Sequence, residues 1–287
     1  MQTVTMLAQL RAARAPLAEP VGLVPTMGYL HEGHLSLARR ARSECASVAA
    51  TIFVNPTQFG PDEDLSTYPH DLPRDLRLLE AEGVDLVWMP TPEVMYPPGF
   101  QTWVTVGELS QPLEGRERPG HFRGVATVVA KLFNGIQPQR AYLGQKDAQQ
   151  VVVIRQMARD LNFALDIVVC PTVREADGLA MSSRNAYLNP AERRAAAVLY
   201  RALNAARAAF EGGEREAERL RRAVAEILGG EPLARLQYVS CAHPDTLQEL
   251  ETVAGRGLLS LAVLLGQTRL IDNMVIGEEV STHVTND

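Results

Sequence analysis

The chain is short of cysteine, has no long apolar run and carries no excess of positive charge, and each shortage removes a class of function. Its three cysteines, Cys45, Cys170 and Cys241, are widely spaced, odd in number and never in a Cys-x-x-Cys pair. That spacing suits a reducing compartment, with all three as core thiols. The longest apolar run, residues 258–265, contains Ser260 and is far too short to span a bilayer. Arg11 and Arg14 stand where a secretory signal needs its apolar core, so no signal peptide is expected. Lys and Arg number 28 against 34 Asp and Glu, a net charge of −6, which advertises no nucleic-acid or membrane surface. What remains is a chain of 287 residues, 46% hydrophobic and 22% charged, long enough for two domains; a soluble, cytoplasmic protein is the expectation.

The stretch that organises the rest is residues 21–34, followed by Leu35-Ser-Leu-Ala-Arg-Arg-Ala-Arg42. Val21, Leu23 and Val24 read as a buried strand, residues 25–33 as a tight turn, and Leu35, Leu37, Ala38 and Ala41 as the inner face of a helix. His31 and His34 therefore sit at a strand-to-helix junction, one helical turn apart. Gly28 and Gly33 let backbone come close, and the first helical amides point at whatever lies there, which favours an anion. Three readings compete. A lone histidine here would most simply cap amides. His-Glu-Gly-His resembles the zinc signature His-Glu-x-x-His but is one residue short, and no third ligand follows at an obvious spacing. The third reading, histidines donating to nucleotide phosphates, explains the glycines, which a metal site does not need.

Along the chain, Val4, Leu7 and Leu10 pattern as a short helix, and residues 47–55 as a strand ending at Asn55-Pro56. The loop 56–73 is long enough to be functional; it holds Gln58 and the acidic residues Asp62, Glu63, Asp64 and Asp71, to which no role is assigned. A helix over 75–82, strands over 84–89 and 102–106, and a helix from Phe122 to a stop at Gly135 follow. Glu114, Arg116, Arg118 and Arg123, before and within that helix start, read as a solvated loop, a lid or a subunit contact. Residues 141–147 run from a strand through Gly144 into a helix over 148–160, where Asp147 and Gln150 have the spacing of a capping box. Lys146 is a cation at the positive end of that helix, tolerable if an anion neutralises both. After a strand over 165–170, Ser182, Ser183 and Arg184 form a phosphate-competent loop. The remainder reads as helices over 192–210 and 214–228 and strands over 236–241 and 258–265, a separate α+β domain.

These polar clusters each follow a strand. In a doubly wound parallel sheet the carboxyl ends of the strands share one edge, and ligands bind there. Four weak signals thus become one expected site. The chain resembles the pantoate:β-alanine ligase family of the nucleotidyltransferase superfamily. The resemblance rests on Pro25-Thr-Met-Gly-Tyr-Leu-His-Glu-Gly-His34, Phe53-Val-Asn-Pro-Thr-Gln-Phe-Gly60, Gly120-His-Phe-Arg-Gly-Val-Ala-Thr127, Gly144-Gln-Lys-Asp-Ala-Gln-Gln150 and Met181-Ser-Ser-Arg-Asn185, all in the expected order.

The resemblance implies a Rossmann-like domain over 1–173 that binds nucleotide and pantoate, and a smaller α+β lid domain over 174–287 carrying the Ser-Ser-Arg loop. It implies ATP-dependent condensation of (R)-pantoate with β-alanine through pantoyl adenylate, releasing AMP and pyrophosphate. His34, His31 and Lys146 would be catalytic. Met27, Gly28, Tyr29, Leu30, His31, Glu32, Gly33 and His34 would hold ATP from one side, and Gly144, Gln145, Lys146 and Asp147 from another. Val173, Met181, Ser182, Ser183 and Arg184 would complete the ATP site, and Gln58, Gln150 and Asn55 would hold pantoate and β-alanine. Mg2+ is expected on the β- and γ-phosphates with no protein metal cage, and a homodimer is implied by the resemblance alone. The competing functions are a nucleotidylyltransferase that stops after the first step, a zinc hydrolase using His31, Glu32 and His34, and a nucleotide sensor without catalysis.

Overall fold

A computed structural model describes residues 1–61 and 63–277; Asp62 of the acidic loop and the last ten residues of the expected C-terminal domain lie outside the described residues. The chain divides into two compact units, one of Met1–Arg174 with Met181–Ser183, the other of Glu175–Ala180 with the chain from Arg184 onward.

The first unit is built on six parallel strands: β1 (Gln2–Val4), β2 (Val21–Thr26), β3 (Ser47–Ile52), β4 (Leu86–Trp88), β5 (Arg140–Gly144) and β6 (Asp166–Cys170). Their order in the sheet is β1-β4-β3-β2-β5-β6, so the chain winds outward from β2 in one direction, then returns to β5 and winds the other way. Alternate strand residues feed two cores. Leu23, Ala49 and Leu143 face the helices Leu7–Arg14, His121–Ile136 and Ala148–Asp160, while Val24, Val48 and Ala50 face Glu32–Glu44 and Leu72–Ala81. Both faces are covered, as the near-continuous apolar strands require. The switch between β2 and β5 is the place where such a sheet opens a crevice.

The second unit has helices Pro190–Ala196, Val198–Glu211 and Ala217–Gly229 and an antiparallel sheet β7 (Ala234–Ala242), β8 (Gly257–Leu265), β9 (Thr268–Ile276). Its core joins Leu199, Leu203, Leu220 and Val224 to Leu259, Leu261 and Val263. No helix among the described residues is long and apolar enough to cross a membrane.

Several local expectations change. Val4 belongs to β1, ahead of the first helix rather than in it. The segment expected as a strand over 102–106 forms no strand; Val104 N instead donates to Thr127 Oγ1 at 3.0 Å. Gly135 does not end its helix, which runs through Ile136. A Cβ at Gly135 would lie 2.9 Å from Trp88 and 3.1 Å from Leu10, so the glycine is there for close packing. The helix expected over 192–210 breaks at Ala197, and β9 was not anticipated.

Candidate active site

The helix after β2 begins at Glu32, three residues before the apolar pattern does, because the two histidines cap it themselves. His31 Nδ1 accepts from Gly33 N at 3.1 Å, and His34 Nδ1 accepts from His31 N at 3.3 Å, a capping box made of imidazoles. A ring nitrogen that accepts carries no proton, so each ring is neutral with its N–H at Nε2. The centroids lie 4.1 Å apart. Burial of the His34 ring pushes its pKa from 6.5 down to about 3, and the neighbouring His31 and Lys146 add to the effect.

This lowering has a stability consequence. The folded-state value lies below the unfolded one, so between pH 6.5 and about 3 the unfolded chain binds more protons and stability falls as pH falls. The slope contributed by one fully differential proton is about 1.4 kcal/mol per pH unit. In chemical denaturation from pH 7 to 4.5, His34→Gln is expected to lose less stability than the wild type. Parallel curves for the two proteins would contradict this assignment.

The turn that carries the histidines is clamped from a distance. Asp75, 1% exposed, accepts from Tyr29 N at 2.7 Å and Leu30 N at 2.8 Å, and Arg74 Nη1 donates to Leu30 O at 2.8 Å. Hydrogen bonds to a charged group each contribute about 1.5–3 kcal/mol. Burial raises the Asp75 carboxyl against the pull of those amides. Gly28 has φ 85°, and a Cβ there would lie 3.1 Å from both Asp75 Oδ2 and Ile52 Cγ2, so the clamp requires glycine.

Other predicted residues gather at this turn. Gln58 Nε2 approaches Met27 Sδ at 3.2 Å, Ser183 Oγ donates to Tyr29 O at 3.2 Å, and a Cβ on Gly33 would touch Met181 Cβ at 3.9 Å. Met181 N donates to Val173 O at 3.0 Å, tying the end of β6 to the same segment. Gly144 ends β5 and borders open space, and Gln145–Asp147 forms a 3₁₀ turn that holds Lys146 where its charge reaches His34. Gln150 stands in the first turn of Ala148–Asp160, and its amide has no hydrogen-bond partner among the described residues.

Some assignments change. Asp147 makes no side-chain cap where the 3₁₀ turn runs straight into the helix; the carboxylate lies 3.4 Å from Lys146 Nζ instead. The Glu32 carboxylate is engaged by Arg39, at 2.5 Å, in a surface ion pair. No group of three or more His, Cys, Asp or Glu among the described residues could hold a metal ion. Asn55, 1% exposed, has internal partners at every polar position. Nδ2 donates to Gln58 Oε1 at 3.0 Å and Gly124 O at 3.2 Å, while Oδ1 accepts from Tyr96 Oη at 2.7 Å and Thr57 Oγ1 at 3.0 Å. It therefore orients Gln58. Arg184 falls in the second unit, and Arg123, read as loop or lid, stacks over Trp103 at 4.5 Å.

Sequence reasoning missed Asp75, hidden as an ordinary first-turn acid behind the true helix cap Asp71. It also missed His121, which is 9% exposed and whose pKa burial, then Arg118, lowers to about 4.

The family model described as Pantoate-beta-alanine ligase matches residues 1–275. A pantothenate synthetase of Roseiflexus sp. is 64% identical over 276 residues, 96% of this chain and 99% of that protein. The crystal structure of pantothenate synthetase from Thermus thermophilus is similar at a TM-score of 0.93 and 51% identity, over 97% of this chain and all 100% of that one. A pantoate-beta-alanine ligase structure from Francisella tularensis, complexed with beta-gamma ATP and beta-alanine, has a TM-score of 0.79 at 36% identity, covering 96% of this chain and 97% of its own.

Proposed function

The chain belongs to the pantoate-beta-alanine ligase family, and we propose that the crevice between β2 and β5 is where it carries out that family's reaction. It condenses (R)-pantoate with β-alanine using ATP, through a pantoyl adenylate, and releases AMP and pyrophosphate. The observation that carries the location is the pair of neutral imidazoles, both with N–H at Nε2, standing with Lys146 at the switch point of the sheet.

In the first step a pantoate carboxylate oxygen attacks the α-phosphorus and the bond to pyrophosphate breaks. Charge grows on the phosphate oxygens and on the leaving group. The Nε2–H groups of His31 and His34 donate to those oxygens, and Lys146 supplies positive charge. In the second step the β-alanine amine attacks the acyl carbon, loses a proton, and AMP leaves with the bonding pair. Met27, Gly28, Tyr29, Leu30 and Gly33 line ATP with backbone, as do Gly144 and Gln145; Asp147 takes the ribose hydroxyls, and Val173, Met181, Ser182 and Ser183 complete the pocket. Arg184 is assigned to pyrophosphate on the Ser-Ser-Arg motif.

Gln58 and Gln150 hold pantoate. Their amides donate to its carboxylate and accept from its hydroxyls without neutralising the attacking oxygen, as an arginine would. Mg2+ would come with ATP as its chelate and supply positive charge to the phosphates, since a hard cation with several waters needs no protein cage. Residues 1–173, to which Met181–Ser183 return, form the substrate-binding domain and the chain beyond it a second domain, in a cytoplasmic homodimer.

Gln150→Ala tests the pantoate assignment cleanly because Asp147 does not cap its helix and no capping box is lost. The Michaelis constant for pantoate is expected to rise about tenfold with the melting temperature moved by less than about 2 °C. A pantoate constant that stays put, or a large drop in melting temperature, removes Gln150 from this role.

A further inference from the structure

Gln58 is gripped through its backbone as well as its side chain, by residues the reaction does not use. Arg118 Nη1 lies 3.2 Å from His121 Nε2. A guanidinium only donates, so Nε2 accepts, the ring proton is on Nδ1, and that N–H donates to Gln58 O at 2.8 Å. Arg118 Nη2 reaches the same carbonyl at 3.4 Å. Arg118 is itself held in a two-pronged pair by Glu63, Nε to Oε1 at 2.7 Å and Nη2 to Oε2 at 2.5 Å. Both partners are largely buried, at 14% and 24% side-chain exposure, where a forked pair is geometrically specific. Gly124 closes the arrangement from below, because a Cβ there would overlap Thr57 O and Gln58 N.

We propose that Glu63, Arg118 and His121 are positioning residues for pantoate, a relay that fixes the backbone of Gln58 so that its amide meets the substrate. The proposal rests on the assignment of Gln58 to pantoate. It gives a role to one residue of the acidic loop: Glu63 anchors that loop to the start of the helix His121–Ile136. The relay acts by geometry, since Asn55 and Met27 set the Gln58 side chain while His121 and Arg118 set the peptide unit behind it. A misplacement of a positioned group by about 1 Å costs on the order of a hundredfold at worst. Losing one of several constraints is expected to do less.

The test uses the whole enzyme and four variants. His121→Leu removes the donor to Gln58 O, and its Michaelis constant for pantoate is expected to rise about tenfold, with the constant for ATP within about twofold. His121→Asn places an amide N–H near the position of Nδ1 and is expected to return the pantoate constant to within about threefold of wild type. Glu63→Ala, on a loop and outside the core, is expected to raise the pantoate constant about threefold. Gln58→Ala serves as the reference. If Gln58→Ala leaves pantoate binding unchanged, the pantoate assignment fails, and the relay with it. If Gln58→Ala weakens pantoate but Glu63→Ala does not, or if His121→Leu shifts ATP and pantoate constants together with no rescue by asparagine, the relay alone is overturned. Should His121→Leu fail to fold, Glu63→Ala decides.

Discussion

Lys146→Ala lowers the rate of pantoyl adenylate formation by about a thousandfold while the Michaelis constant for pantoate moves less than about threefold. The reason is where Lys146 stands. It lies on the 3₁₀ turn after β5, 22% exposed at its side chain, at the amino end of the helix Ala148–Asp160, and its charge is felt by His34. A cation there adds to the positive end of the helix, an arrangement that the Asp147 carboxylate 3.4 Å away offsets in part and that improves further when the charge of the triphosphate arrives. Charge arrives most strongly as pyrophosphate begins to leave, so the interaction belongs to the transition state. Gln58 and Gln150, the amides proposed for pantoate, do not depend on it. The His34 ring stays neutral in the variant, because burial is the largest cause of its lowered pKa and Lys146 the smallest. Pantoate-dependent exchange of labelled pyrophosphate into ATP measures the step directly. An exchange rate within about tenfold of wild type would take Lys146 out of the chemistry.

His34 caps its helix and is proposed to serve the chemistry as well, and substitutions separate the two. His34→Ala removes the Nδ1 acceptor of the His31 amide together with the Nε2–H. A lost helix cap costs about 1 kcal/mol, and a lost donor to developing charge about a hundredfold in rate or more. His34→Gln differs. Glutamine three residues after a helix cap reaches back to the cap amide, as in an ordinary capping box, so the stability is expected to return. Its amide is then held against the helix and cannot also face the phosphate, so turnover stays about a hundredfold down. Melting temperature and turnover number measured on both variants distinguish the duties. Full activity in His34→Gln would mean that the ring serves the helix alone. The plainest reading of a histidine at a helix start, a cap, is realised through Nδ1 of His34, and the proposed chemical role uses the other nitrogen, Nε2.

The parts of the site legible in the sequence are those encoded locally. The glycine-bracketed turn after Val24, the amides Gln58 and Gln150, and the Lys146 turn each lie within a few residues of an apolar strand, so strand periodicity alone put them on one edge of a parallel sheet. The clamp on the turn was not legible, because Asp75 and Tyr29 are brought together by the packing of two helices on one face, and no spacing rule connects them. The same holds for His121, whose partner carbonyl lies 63 residues away. Strand β9 escaped for a different reason. Asp272 and Asn273 interrupt its apolar alternation, and both are buried, at 2% and 5% exposure, so the chain hides polar groups where a sequence reading expects a break. Asp147 erred the other way: its spacing to Gln150 fits a capping box, but it is the last residue of a 3₁₀ turn that leads into the helix, and its carboxylate lies beside Lys146 rather than on the helix amides.

The central claim is a place: the α-phosphate against two imidazoles and a lysine at the switch between β2 and β5, with pantoate on two neutral amides beside it. Crystals soaked with MgATP and (R)-pantoate, without β-alanine, stop the reaction after its first step and show where the product lies. The account predicts pantoyl adenylate with its phosphate in hydrogen-bond contact with Nε2 of His31 and His34 and its pantoyl group on Gln58 and Gln150. An adenylate whose phosphate touches neither ring, or a pantoyl group seated away from both amides, would contradict it.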